Sequence, residues 1–589
     1  MTFLDDRTKL NNGRPSLSAC MIVKNEEKFL AQCLTSIKNA VDEIIIIDTG
    51  STDKTIEIAQ SFSTKVYHHP WKNSFSEARN HSLKYATCDW ILQIDADETL
   101  EHTDIPLLHK LICRDSYNAI FVAIYSDLPG GRSKHYYTRI FRRGKAFFEG
   151  IVHNQLIFEG ASFQSEIRFY HYGYNLTEQE MQRKYKRTGD LLRQQLVENP
   201  DNLFIMTNLI RNYRNEFNFN KVIELGEKGL KVSESQTDYN SRNQRQRIYI
   251  DLVYAFINAS QLDRAEEICS EGIKENHDSL DLLFVMGEIL LRKEKFNEAL
   301  PYFKKYLIMK DRENKIPAFN LSIVDAYFYE HKAYDNIGVC YEKLNLFNEA
   351  EVAYKKAISL NNKELQYYSN LAQLYIAQKN IEKAEDITTT AINMGIANDS
   401  IYMLTGKIQS SQKKPDKAIN TLRQLINRNN KNIPAYIYLI NLLIQTSQLK
   451  EAEVTAKEII ASNPDHFGLK CLMERINFKN GKKDGAIKFI QTVLGSNPSN
   501  GSVYNDLGNL CIEIEEYTTA IDLLEKYLKT SPVDITAITN IATCYVKLGK
   551  LEPAIIGFRA ALTIDPTCNY ALHNLSILSK RLDNRLGLN

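Results

Sequence analysis

The chain has 589 residues, with 73 lysines and arginines against 72 aspartates and glutamates and a hydrophobic fraction of 43%. That length predicts more than one domain, and a formal net charge of +1 excludes a global field that would draw in nucleic acid or an anionic membrane. No apolar run approaches the ~18 residues of a membrane span. The ten cysteines form no C-x-x-C pair, and the first residues read as neither signal peptide nor lipidation motif, so the expectation is a cytoplasmic protein with reduced thiols.

In chain order, residues 1–16 read as a tail. Residues 17–23 form an apolar run that predicts a strand, and Phe29, Leu30, Cys33, Leu34 and Ile37 then recur at helical spacing. Four isoleucines at 44–47 run into Asp48 and a Thr-Gly-Ser-Thr-Asp turn. Such a run fits a strand covered on both faces of a parallel sheet, with Ser51 or Thr52 as the cap of a helix over residues 54–60. Trp90 to Ile94 lead into Asp95, Asp97 and Glu98. In an extended chain i and i+2 side chains share a face, and two carboxylates held together repel by roughly a few kcal/mol at an effective dielectric near 20. A proton, a basic neighbour or a divalent cation must offset that. Oxygen-lined sites suit Mg²⁺ or Mn²⁺ carried on a substrate's phosphates; solvated loop acids are the plainer alternative. Alternating strands and helices predict an α/β sheet with ligands beyond the carboxyl ends of its strands, where Asp48, Asp95 and Asp97 would share one site.

Four ordered phrases carry a resemblance: Met-Ile-Val-Lys-Asn-Glu-Glu at 21–27, Asp-Thr-Gly-Ser-Thr-Asp at 48–53, W-x3-F-S-x-A-R-N at 71–80, and Asp-Ala-Asp-Glu at 95–98. With them, residues 17–175 resemble a family 2 glycosyltransferase of the A-type nucleotide-sugar fold. The resemblance implies that Asp48 holds the nucleotide's base or ribose and Arg79 the base or diphosphate. It implies that Asp95 lies near ribose and diphosphate, and that Asp97 binds a divalent cation (Mn²⁺ or Mg²⁺) bridging the phosphates. A late histidine often joins the metal or diphosphate in this fold, which points to His171; a packed aromatic strand with one polar member is the alternative. The subgroup's E-G-x-V-H-E-x-L phrase reads Glu149-Gly150-Ile151-Val152-His153-Asn154 here. Asparagine cannot act as a base, so Glu149 or His153 would have to accept the acceptor's proton. From its residues alone, the basic segment 138–145 is either an exposed charged edge or a strand whose Arg139 reaches the donor diphosphate. Residues 129–133 read as a lid over the donor or a simple hairpin turn. Trp71 and Phe75 read as packing beneath the donor pocket.

Residues 176–200 read as a polar connecting helix. Beyond it alanine recurs at 350, 384, 418, 452, 486, 520 and 554, a spacing of 34, and again at 265 and 299. Mostly small residues stand twelve before these alanines (Gly287, Gly338, Gly406, Gly508) and tyrosines sixteen before (Tyr334, Tyr368, Tyr402, Tyr436, Tyr504), which read as core. This is the tetratricopeptide signature, in which small residues let paired helices approach. Residues 201–585 therefore predict about ten helical hairpins, with an insertion near 309–325 where the register slips by 17.

The expectation is an inverting, metal-dependent glycosyltransferase that moves a sugar from a nucleotide-sugar donor, a UDP-sugar first, to a large acceptor, a protein or peptide held by the repeats. A second copy of the chain is the other partner such an array can take. The alternative is a scaffold whose transferase domain has lost activity, motivated by Asn154. Nucleotidyl transfer through the same acids lacks the usual Gly-rich, lysine-containing loop.

Overall fold

A computed structural model describes residues 13–128, 131–151, 155–173, 177–236, 238–315, 325–496, 498 and 501–586. The chain divides into two compact units, Met1–Asn370 and Leu371–Asn589. The first unit opens with β1 (Leu17–Val23), α1 (Leu30–Ile37), β2 (Glu43–Asp48), α2 (Thr55–Ser61), β3 (Lys65–His68), α3 (Phe75–Leu83) and β4 (Trp90–Gln93). It continues through β5 (Glu98–Leu100), α4 (Ile105–Ile112), β6 (Ala119–Leu128), β7 (Gly131–Arg142), β8 (Ala146–Glu149), β9 (Gln155–Phe158) and β10 (Ser162–His171). Eight strands form one mixed sheet in the order β3-β2-β1-β4-β7-β6-β10-β5, and β8 and β9 pair separately. The first four strands of that order are mutually parallel, which directs the chain ends after β1, β2 and β4 to one edge of the sheet.

The apolar runs explain these elements. Ile45, Ile46 and Ile47 are inaccessible, as are Leu30, Cys33, Leu34 and Ile37 along the inner stripe of α1. Two local expectations are corrected. Neither Ser51 nor Thr52 caps α2: their amides bond to Asp48 and Asn25, and Asp53 accepts from the Thr55 amide instead. The basic strand is no edge, because β7 lies between β4 and β6 with antiparallel ladders on both sides.

α5 (Glu178–Glu198) follows, started by a capping box between Thr177 and Glu180. Helical hairpins then succeed one another: α6 (Leu203–Asn215), α7 (Phe219–Ser233), α8 (Tyr239–Asn258), α9 (Leu262–Glu275), α10 (Leu280–Arg292), α11 (Phe296–Lys315) and α12 (Glu330–Lys343). Hairpins continue to Leu586 through the second unit. The fold class is thus an α/β nucleotide-sugar-type domain followed by a tetratricopeptide solenoid. Among the described residues no helix is long and apolar enough to cross a membrane.

Every periodic alanine from Ala265 to Ala554 is fully buried. The small position meets a large side chain four residues after the alanine: a Cβ on Gly287 would stand 2.6 Å from the Phe303 ring, one on Gly338 2.6 Å from the Tyr354 ring, and one on Gly508 2.7 Å from Leu524. Of the tyrosines sixteen before the alanines, Tyr368 and Tyr436 are buried, while Tyr334, Tyr402 and Tyr504 are half-buried.

The register slip falls where the solenoid meets the sheet. Part of the 309–325 segment lies outside the described residues, but the tight turn Asp325–Phe328 that ends it packs on β7. The Tyr306 hydroxyl donates to the Ala326 carbonyl at 2.6 Å, and the Ala326 amide donates to Asp281 at 2.7 Å. Lys134 of β7 sits among the rings of Tyr125, Tyr136 and Tyr327 at 5.7, 5.0 and 5.3 Å, a cation–π cluster shared by sheet and solenoid.

Tyr354 is fully buried and cannot swing aside. Gly338→Val should therefore cost about 1–3 kcal/mol in urea unfolding. Gly406→Ala, where the nearest atom is Leu422 Cγ at 3.3 Å instead of a ring at 2.6 Å, should cost less than Gly338→Val and stay within about 1 kcal/mol of wild type in the same measurement.

Candidate active site

Two of the sequence phrases lock onto each other. Asn25, after β1, adopts a left-handed backbone with φ of 58°, a conformation that asparagine tolerates better than most residues. Its side chain accepts from the Thr52 amide at 2.7 Å, and its own amide donates to Ser51 Oγ at 3.0 Å. The Glu26 amide bonds Thr55 Oγ1 at 2.7 Å, and Glu27 accepts from the Lys54 amide at 3.1 Å. The loops after β1 and β2 are thereby one rigid surface. Asp48 sits in it, 1% exposed, accepting from the amides of Gly50 and Ser51 at 3.1 Å and lying 3.2 Å from His68 Nδ1. Burial opposes its charge, but the bonds from Ser51, Gly50 and His68 win and lower its pKa.

The acidic phrase after β4 does not stay extended. The strand stops at Gln93, and the Glu98 amide bonds back to the Asp95 carbonyl at 3.0 Å. This turn sends the two aspartates to different partners. Asp95 takes Arg79 Nη2 at 2.6 Å on one oxygen, shared with Gln93 Nε2 at 3.0 Å, and Arg139 Nη2 at 3.0 Å on the other. Arg139, from the middle of β7, also holds Gln93 Oε1 and Glu98. Burial opposes the Asp95 charge, yet the two guanidinium groups outweigh it and hold the carboxyl well below its ordinary range. Glu98, 1% exposed, is raised instead, chiefly by burial.

Asp97 faces His171, with Oδ2 3.3 Å from Nε2. β10 delivers the imidazole, and its Nδ1 lies 3.4 Å from Ser126 Oγ of β6. Burial disfavours both charges, but each stabilises the other, lowering the pKa of Asp97 and raising that of His171. Gly173 closes over the pair: a Cβ there would lie 2.1 Å from Asp97 Oδ2 and 2.7 Å from His171 Nε2.

The phrase at 71–80 places α3. Ser74 caps it, Arg79 reaches Asp95, and Asn80 clamps β8 through paired 2.8 Å bonds to the Phe148 amide and carbonyl. Arg79 also lies over the Phe148 ring, 5.5 Å from its centroid. Glu149 follows, exposed at the end of β8. His153 and Asn154 lie outside the described residues, as does part of the 129–133 loop. Trp71 packs edge-on to Phe75 at 4.8 Å and lines a cavity of ≈ 390 Å³ with Arg183, Lys186 and Arg187 of α5.

The Glycosyl transferase family 2 model matches residues 18–177, and tetratricopeptide models match 331–364, 410–476 and 535–568. This chain carries a family 2 glycosyltransferase domain joined to tetratricopeptide repeats. It is similar to a TPR repeat-containing protein of Synechococcus elongatus, 50% identical over 84 residues, which are 14% of this chain and 21% of that protein. It is also similar to the SPbeta prophage-derived glycosyltransferase SunS of Bacillus subtilis, 32% identical over 197 residues, 32% of this chain and 47% of SunS. The matched stretch thus spans less than half of either relative. A tetratricopeptide repeat protein from Parabacteroides merdae aligns over 51% of this chain and 99% of its own, at 15% identity and a TM-score of 0.36.

Four residues of the transferase domain's site receive no role from the motif reading. Gln93 and Glu98 flank the acid pair, and the signal for Gln93 is a polar residue ending an otherwise apolar strand. Glu26 lies within the Met-Ile-Val-Lys-Asn-Glu-Glu phrase; burial and the nearby Asp97 push its pKa up to about 7. His68 ends β3 with no local cue beyond its register opposite Asp48.

Asp95→Asn would leave two buried guanidinium groups without their shared counter-charge, at a cost of about 3 kcal/mol in urea unfolding. Because the folded-state carboxyl is depressed, wild-type stability from this contact is complete above about pH 4 and is lost as pH falls towards the folded value. The variant should lack that acid-dependent component, which stability measured from pH 7 to 3 will show.

Proposed function

We propose that the chain is an inverting glycosyltransferase that transfers a sugar from a nucleoside diphosphate donor, UDP-sugars first, to a polypeptide or other large acceptor engaged by the repeats. The observation that carries this reading is the convergence of Asp48, Asp95 and Asp97 beyond the carboxyl ends of β2 and β4, on either side of β1. In this reading Asp48 accepts from the base or ribose. Asp95, fixed by Arg79 and Arg139, shapes the floor beneath ribose and diphosphate.

Asp97 and His171 would hold the divalent cation, Mn²⁺ or Mg²⁺, whose charge offsets that on the departing diphosphate. One carboxylate oxygen beside one imidazole nitrogen suits such an ion, and the glycine at 173 keeps side-chain bulk off both atoms. Among the described residues no three His, Cys, Asp or Glu side chains could hold a metal by themselves, so donor oxygens would complete the coordination.

The acceptor's heteroatom attacks the anomeric carbon from the face opposite the diphosphate. The bond from that carbon to the phosphate oxygen breaks with its electron pair going to the diphosphate, and the acceptor's proton passes to a base. Glu149 is the base this reading favours among the described residues, since α3 holds its strand through Asn80; His153 is the other candidate.

The test incubates the full chain with UDP- and GDP-sugars, Mn²⁺ and candidate acceptors, reading nucleoside diphosphate release and acceptor mass. Asp97→Ala, or chelation of the metal, should lower kcat/KM by about 10²-fold or more. Glu149→Gln should lower kcat by about 10²–10⁴-fold. Absence of release from every donor, or full activity in Asp97→Ala, overturns the reading.

A further inference from the structure

The first helix after the transferase domain reaches into its site. Lys184, on α5, donates from Nζ to the Gly173 carbonyl at 3.2 Å. Gly173 is the residue whose Cβ would overlap both Asp97 Oδ2 and His171 Nε2. The ammonium is therefore brought to the lip of the Asp97–His171 pair, with one glycine between them, and its charge acts on Glu26, Asp97 and His171.

The charge inventory sharpens this. Arg79 and Arg139 both pair with Asp95, and Arg139 pairs with Glu98 as well. Both guanidinium groups are thus committed to the acids beneath the site. A diphosphate entering beside Asp97 adds negative charge to a region that already holds Asp95, Asp97, Glu98 and Glu26. Two further cations whose charge acts on Asp97 are His171 and Lys184. Lys184 ends in a compact point charge on a flexible stem. One of its acceptors is the neutral Gly173 carbonyl, and a phosphate oxygen can replace that bond with a stronger, charge-assisted one.

We propose that Lys184 binds the donor's diphosphate, so that the helix joining the two domains supplies part of the nucleotide-sugar site and the transferase domain is incomplete without it. The proposal rests on the nucleotide-sugar reading above and adds a residue from outside the family's matched segment, which ends at 177.

Calorimetry on the full chain with UDP and with uridine, each in Mn²⁺ and in EDTA, separates the two readings. Lys184→Met and Lys184→Gln should weaken UDP about tenfold even in EDTA and leave uridine unchanged. Lys184→Arg should restore most of the loss, and the salt dependence of UDP binding should be shallower in Lys184→Met than in wild type. Lys184→Gln retains a hydrogen-bond donor for the Gly173 carbonyl, so its loss of UDP alone marks a charge effect. Wild-type UDP affinity in Lys184→Met overturns the proposal. So does an equal loss of UDP and uridine together with a lowered thermal midpoint, which would make Lys184 only a tie between helix and loop. A wild-type chain that binds neither ligand overturns the donor reading along with it.

Discussion

The arrangement around the acidic turn depends on Arg139. Its guanidinium lies near the centre of the mixed sheet, buried, and binds Gln93, Asp95 and Glu98 at once. A buried cation of this kind is costly unless its partners are fixed and charged, and three consecutive pieces of chain (the end of β4, the turn, the start of β5) supply them. The same contact fixes the position of Asp95 relative to Arg79 of α3, which ties helix, sheet and turn together. Without it, three acids within four residues would repel one another in a poorly solvated corner.

That network divides the work of the two aspartates. Both oxygens of Asp95 are occupied by guanidinium groups, so its carboxylate is a structural counter-charge whose geometry is set before any ligand arrives. Asp97 lies two positions further on and faces the His171 imidazole at 3.3 Å, where only a glycine at 173 leaves room for both side chains. An imidazolium–carboxylate pair is more readily reorganised than an arginine–carboxylate pair, because an imidazole can lose its proton whereas a guanidinium keeps its own. Two identical side chains, two residues apart, thus differ in what they can exchange, and the difference comes from their second partners.

The helical region is built onto the catalytic sheet at two places: the turn Asp325–Phe328 on β7, whose Tyr327 joins the Lys134 aromatic cluster, and Lys184 of α5 at the Gly173 carbonyl. A further ion-pair group inside the solenoid, Arg214 with Asp251 at 2.6 Å and with Asp325 at 3.4 Å, also holds that turn. The departure from the 34-residue rhythm is therefore where repeat packing gives way to contact with a sheet. A regular repeat presents the same face each time and cannot match a twisted strand, so extra chain is needed there.

How much of this was legible in the sequence follows from the range over which each signal acts. Apolar periodicity reports burial within one element, so the strands, helices and alanine rhythm could be read directly. The acid phrases fall at one edge of the sheet, as their places after apolar runs imply, but the i and i+2 rule presupposes an extended chain, and the strand ends two residues before Asp95. The repeat turns show the same limit. At the position five before each alanine the backbone enters the left-handed region at Ser260, Glu294, Asn345, Lys379, Lys413, Ser447, Gly481, Glu515 and Gly549. Only two of the nine are glycine, so residue type gives no cue. The conformation is imposed by helix-terminating bonds such as Leu346 N to Tyr341 O at 2.9 Å and Gln448 N to Leu443 O at 2.8 Å, together with the packing of the helices they join. Lys184 belongs to the same class: its helix is evident from composition, but which of its many cations turns towards the sheet is settled only by how that helix docks.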